Sequence, residues 1–248
     1  MKKQPPYTVI FENERFIAVN KASGISVGGE RWDDSAHRLD KLIAGDLGYA
    51  KLFTVHRIDK DTSGLVLFAK TAQSHKQLST AFEERKIGKR YIAIVHGCPH
   101  WDETICSLAL VPNGNKRHMT IVDKYQGKES VTRFVFLGSA GNYSVLEALP
   151  KTGRIHQIRV HAAALGFPIV CDPMYGKETP VLLSSFKRGW RGDPLEESPL
   201  LSRLGLHALE LSLPKDICDC TLSAPLQRDI SGLLKQMEKQ GGFTLFGN

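Results

Sequence analysis

Nowhere in this 248-residue sequence is there an apolar run long enough to cross a bilayer. Its start, MKKQPPYTVIFENERF, is basic but has no apolar stretch of about 7–15 residues and no small-residue cleavage site, so it does not read as a secretory signal. Cysteine is scarce, and Cys98, Cys106, Cys171, Cys218 and Cys220 make an odd number. Without an export signal, the expectation is reduced thiols in a cytoplasmic setting. CDC at 218–220 lacks the usual gap of a zinc pair, and HGCPH at 96–100 has no second pair at matching spacing, so no metal site is expected. Neither G-x-G-x-x-G nor G-x-x-x-x-G-K-[ST] occurs, which leaves nucleotide cofactors without support. Internal repeats and low-complexity tracts are absent as well.

What is present is an ordinary globular composition, 42% hydrophobic and 24% charged, enough to bury a sizeable core. The length suits one large domain or two small ones. A net charge of +7 and a pI near 9.1 favour anionic partners such as nucleic acid, although many soluble proteins without such partners are as basic. Short strands are predicted over 7–21, around a turn near 12–14, and over 64–70 and 89–97. Helical spacing at Leu39, Leu42, Ile43 and Leu47 predicts a helix over 34–47, and Thr71 suits the N-cap of the next one. ETICSLAL, RHMTIVD, SVTRFVFLG and NYSVLEALP suggest a run of antiparallel strands. A helix is predicted over 153–166, an exposed insertion over 177–203, then a strand at LGLHALELSLP and a terminal helix. The fold class is α+β around a mixed, largely antiparallel sheet.

Three residues carry open questions. VHRIDKDTSGLVLFAK (55–70) sets a polar turn before an apolar strand. Turns use Asp, Thr, Ser and Gly, but they do not need His-Arg-x-Asp as well. It is either a solvated loop or one that presents a carboxylate, Asp59, for chemistry. On the 153–166 helix, Arg159 falls beside Ile155 on the apolar side, so it either meets an anion or lets its head reach water. Tyr91, on the strand GKRYIAIVHG beside Lys89 and Arg90, either packs in the core or offers a ring to a nucleobase.

HRIDKDTSGLVLFAKT resembles the signature of the RluA-type pseudouridine synthases, whose HR-[LI]-D-x-x-TSG loop holds a nucleophilic Asp. KRYIAIVHG is similar to that family's second motif, built around a Tyr. KTGRIHQIRVHAAALGFPIVCDPMYG is similar to its third, and RLGLHALELSLP to its last. The opening VIFENERFIAVNKASGISV fits the first strand pair, so the motifs occur in family order along nearly the whole chain. Ile58 stands where Leu is usual, a tolerable exchange. Many relatives carry a small basic RNA-binding domain first; with a first strand near Tyr7, this chain is expected to lack it and to be one pseudouridine synthase catalytic domain.

The resemblance implies an isomerase that breaks the ribose–uracil bond of a uridine in RNA, turns the base and rejoins it through carbon 5. No cofactor is implied. By that resemblance Asp59 is the catalytic carboxylate, and Arg159 pairs with it and favours its ionised form. Tyr91 stacks under the extruded uracil and, as the resemblance implies, has a catalytic part in the late deprotonation of carbon 5. Arg57 fills the space that the base leaves, His56 supports the loop, and Leu206 forms an apolar wall. Asp61 is expected to bond local backbone amides. Lys86, Lys89, Arg90, Lys116, Arg117, Lys187, Arg188 and Arg191 are expected to meet phosphates of ribosomal or transfer RNA. No membrane association is expected, and a monomer is the default. Two rivals stand beside this reading: a non-catalytic RNA-binding module, and a glycoside-cleaving hydrolase with a second carboxylate, Asp172 or Glu147, to activate water.

Overall fold

The computed structural model describes residues 5–29 and 38–245. The chain divides into two compact units, Met1–Arg90 with His207–Leu226, and Tyr91–Leu206 with Gln227–Asn248.

In the first unit, β1 (Tyr7–Glu12) and β2 (Phe16–Lys21) form the expected hairpin. β2 pairs antiparallel with β4 (Ser63–Ala69), which also carries the short β3 (Phe53–Thr54). β2 and β4 are buried along their whole length, which is why their apolar runs do not alternate with polar residues. Phe16, Ala18, Leu65, Leu67 and Ala69 form one core cluster with Leu78 and Ala81 of α2 (Ala72–Glu83). Thr71 caps α2 as predicted, its Oγ1 accepting the Ser74 N–H at 3.1 Å. α1 (Leu39–Leu47) is the predicted first helix, shorter at its start; positions 34–37 lie outside the described residues. β11 (Leu206–Ser212) runs parallel to β4, and β12 (Thr221–Ser223) runs antiparallel to β11.

The second unit holds most of β5 (Gly88–His96). β10 (Tyr143–Pro150) lies antiparallel to β5, β9 (Thr132–Ala140) to β10, and β6 (Glu103–Cys106) to β9. β7 (Leu110–Val111) and β8 (Ile121–Val122) form a separate small ladder. α4 (Arg228–Gly241) buries Ile230, Leu233, Leu234 and Met237, a helical stripe, and packs on β9. The architecture is thus α+β with mixed, largely antiparallel strands, as expected.

Two expectations need correction. The helix predicted over 153–166 is α3 (Gln157–Ala164). His156 adopts a left-handed backbone, φ 54°, which no helix interior accepts, so Ile155 lies outside the helix and is 55% exposed. The insertion 177–203 is exposed only in part. Val181 pairs with Leu201 at its base, both are buried, and Phe186 is buried as well. Among the described residues, no helix is long and apolar enough to cross a membrane.

Candidate active site

The loop that carries Asp59 is pinned from one side by the turn after β2. Lys21 has no exposed surface, a costly position for an ammonium unless every donor is met. Its Nζ donates to the carbonyls of Ala22 and Ile25 at 2.9 Å and of Lys60 at 2.8 Å. The same Lys60 carbonyl accepts the Gly24 N–H at 2.9 Å, and Ser23 Oγ donates to the Asp61 carbonyl at 2.7 Å. The loop closes on itself where the Thr62 N–H meets the Asp59 carbonyl. Asp61 departs from expectation. Its side chain is exposed, and its backbone carbonyl rather than its carboxylate holds the turn.

The two residues that follow explain the rest of the motif. Ser63 Oγ lies 2.9 Å from His207 Nδ1, and His207 Nε2 lies 3.2 Å from the Ala224 carbonyl. A carbonyl only accepts, so Nε2 carries the proton and Nδ1 accepts the Ser63 hydroxyl. This buried pair is a fastener. Gly64 adopts φ 113°, and a Cβ there would sit 2.2 Å from the Ala208 carbonyl oxygen. Ser-Gly in one motif therefore interlocks with His-Ala in another, through the register His207↔Ser63 and Ala208↔Gly64.

His56 faces inward. Its Nε2 accepts the Leu67 N–H at 3.0 Å and its ring stacks on Phe82, with centroids 4.4 Å apart. Burial, with a smaller push from the Lys89 cation, holds its pKa down at about 3, so the ring is neutral. Arg57, the next residue, is exposed. Both line a cavity of about 360 Å³ floored by Gly28 and Gly29, within the range of small-ligand sites. Of the cations predicted for phosphate, Arg90 is engaged by Glu210 at 3.1 Å. Burial, then the Arg85 cation, lowers the Lys89 amine to about 8.

The second unit contributes Arg159, 3% exposed and held on α3. The predicted need for an anion is met by Asp172. Nε and Nη2 of Arg159 donate to its two carboxylate oxygens, each at 2.8 Å. Asp172 Oδ1 also accepts the N–H groups of Met174 and Tyr175. Burial pushes the Asp172 pKa up, but the Arg159 bonds and charge and the two amides outweigh it, leaving it below the usual range. The guanidinium lies 5.1 Å from the centre of the Tyr175 ring. The Tyr175 hydroxyl accepts the Thr120 N–H and meets His156 Nδ1, both at 2.9 Å. Arg159 is thus clamped by Asp-x-x-Tyr, residues 172–175.

At the start of α3, Gln157 accepts from Thr152 Oγ1 and the Arg154 N–H and donates to the Val131 carbonyl and Thr132 Oγ1. Val170, two residues before Asp172, donates to Ile94 of β5 and accepts from Gly205, while Ile94 donates to Gly205. That backbone triangle ties the clamp to β5, which carries the buried Tyr91, and to Leu206, also buried. Of the predicted residues, His56, Arg57 and Asp59 therefore share the first unit, and Tyr91, Arg159 and Leu206 the second. Sequence reasoning missed Lys21, Ser63, His207 and Tyr175, and weighed Asp172 only as a base for water. A signal was there in DPMYG, since Asp followed two and three residues on by amides is a turn that fixes its own carboxylate.

The profile of the family described as RNA pseudouridylate synthase matches residues 15–164. The chain belongs to that family. It is 36% identical to the ribosomal large subunit pseudouridine synthase D of Zymomonas mobilis, over 94% of this chain and 73% of that protein. It is also 36% identical to the dual-specificity RNA pseudouridine synthase RluA of Vibrio vulnificus, over 84% of this chain and 78% of the relative. The fold is that of human RNA pseudouridylate synthase domain containing 4, with a TM-score of 0.70 over 92% of each chain at 22% identity. The chain is accordingly an isomerase that converts uridine to pseudouridine in RNA.

Proposed function

We propose that this enzyme acts on uridines of large-subunit ribosomal RNA, the substrate in the name of its Zymomonas relative, with Asp59 as nucleophile. The carboxylate attacks the anomeric carbon as the bond to N1 breaks. The freed uracil turns and bonds through C5, and the carboxylate departs. C5 loses its proton and N1 gains one, so atoms balance with no water or electrons consumed. Arg159 orients and neutralises Asp59, Tyr91 stacks on the uracil, Leu206 lines its pocket, and Arg57, beside the glycine-floored cavity, fills the vacated stack. His56 acts through the loop rather than on the substrate. The enzyme works as a monomer in the cytoplasm.

The observation that carries this reading is the clamp on Arg159. A guanidinium has five N–H donors in a fixed plane, and Asp172 engages two of them, which fixes the plane in which Arg159 acts. The same clamp weighs against Asp172 as the water-activating base of a hydrolase, because both its oxygens are committed to Arg159 and one also accepts a backbone amide.

The test is pseudouridine mapping of ribosomal and transfer RNA from cells lacking the gene, complemented with the parent or with Asp59→Asn. One or more large-subunit sites should vanish with the gene, return with the parent and stay absent with the variant. Restoration by Asp59→Asn would overturn the assignment, and release of free uracil would favour hydrolysis.

A further inference from the structure

A second concave site lies in the second unit, at the far end of β9 from α3. It is a groove of about 670 Å³ between the β9–β10 turn (139–141), residues 184–188 and the end of α4 at Gln240 and Gly241. β9 runs nine residues from Thr132, bonded to Gln157 of α3, to Ala140, so the groove is roughly 27 Å from that end at about 3.4 Å per residue.

Three features give it a chemistry. Among the described residues its charged lining side chains are Lys187 and Arg188, and the one carboxylate that meets the lining, Glu197, accepts the Ser184 N–H at 2.8 Å. Both are exposed, and neither has an ion-pair partner among the described residues. Its wall is preformed. Phe186 is buried, meets the Tyr143 ring edge-on at 6.0 Å and sits where a Cβ on Gly141 would come within 2.6 Å of its own. The backbone at Lys187 is then held by its N–H bond to the Leu183 carbonyl at 2.9 Å. Beyond Gly189, with φ 64°, comes a half-buried Trp190 whose indole rests on Gly192, where a Cβ would lie 2.4 Å from Cζ2. Exposed Arg191 follows it. Exposed cations on a held backbone, followed in the chain by a supported indole, suit a phosphate chain bearing an unstacked base.

We infer that this groove and the loop 187–192 form a second RNA-binding site, which holds single-stranded RNA flanking the target. The inference rests on the proposed ribosomal substrate. Binding to unmodified large-subunit ribosomal RNA transcribed in vitro tests it, for the parent, for Lys187→Glu/Arg188→Glu/Arg191→Glu, for Trp190→Ala, and for a charge-matched control with Lys41, Lys76 and Lys235 changed to Glu. The groove triple should lose on the order of tenfold affinity near 0.1 M salt, with a log–log salt slope shallower by about 2. Trp190→Ala should lose roughly fivefold or more. An equal loss in the control, or none in the groove triple while the parent binds and forms pseudouridine, overturns the site alone. Displacement of RNA by poly-glutamate from the parent, at matched charge, would assign the groove to an acidic polypeptide and overturn it. A parent that forms no pseudouridine on this RNA sinks the proposed substrate as well.

Discussion

Arg159 shows how a single residue is specified. A buried guanidinium is stable only if its charge and its donors are met, and here an Asp of a four-residue turn takes two of the donors while the Tyr ring of the same turn lies beside the charge. Removing one partner of a buried pair strands the other charge, which costs about 3–5 kcal/mol. Asp172→Ala should therefore lower the unfolding free energy by about that amount. If Asp172 also aims Arg159, the single-turnover rate should fall by about a hundredfold with RNA affinity nearly unchanged. Asp172→Asn, which keeps the shape but only one of the two acceptor oxygens, should recover part of both. Denaturant unfolding, single-turnover assays and RNA binding separate the effects, and loss of stability without loss of rate would restrict Asp172 to the fold.

At the scale of elements, β4 and the loop before it depend on groups that must stay neutral or closely packed. His56 accepts a backbone N–H from β4, which a protonated ring cannot do. Its folded pKa, about 3, lies below the ordinary value of 6.5. The unfolded chain thus takes up this proton first as pH falls. The stability contribution is complete above about 6.5 and is lost progressively between there and about 3. Thermal unfolding followed from pH 7.5 to 4.5 should show a falling midpoint, and His56→Gln should flatten part of that slope. A parallel slope would mean that other histidines carry the dependence, His161 and His96 being lowered by burial as well.

For the whole molecule, the order of the chain matters as much as its motifs. The first unit is not contiguous, because its β4 is completed by β11, more than a hundred residues downstream. A fragment ending at Arg90 lacks His207, which holds Ser63, and Ala208, which faces Gly64. Such a fragment should show no cooperative unfolding by circular dichroism, whereas the full chain should show a sharp transition. A cooperative transition in the fragment would mean that β2, β4 and α2 suffice for that core.

Local chemistry was legible in the letters. Apolar runs pointed to β2, β4 and β5 and a threonine to the start of α2, because each follows from neighbours a few residues away. The motif order was enough to point to the family. Only the tertiary structure decided which polar groups meet. Ser63 and His207 are 144 positions apart and Lys21 and Lys60 are 39 apart, and their pairing is set by strand register and loop path, which have no local code. The same holds for backbone angles. The left-handed turn at His156 shortens α3 against its own periodicity. The physical reason is that burial makes partners compulsory, while sequence spacing beyond a turn or two does not say who they are.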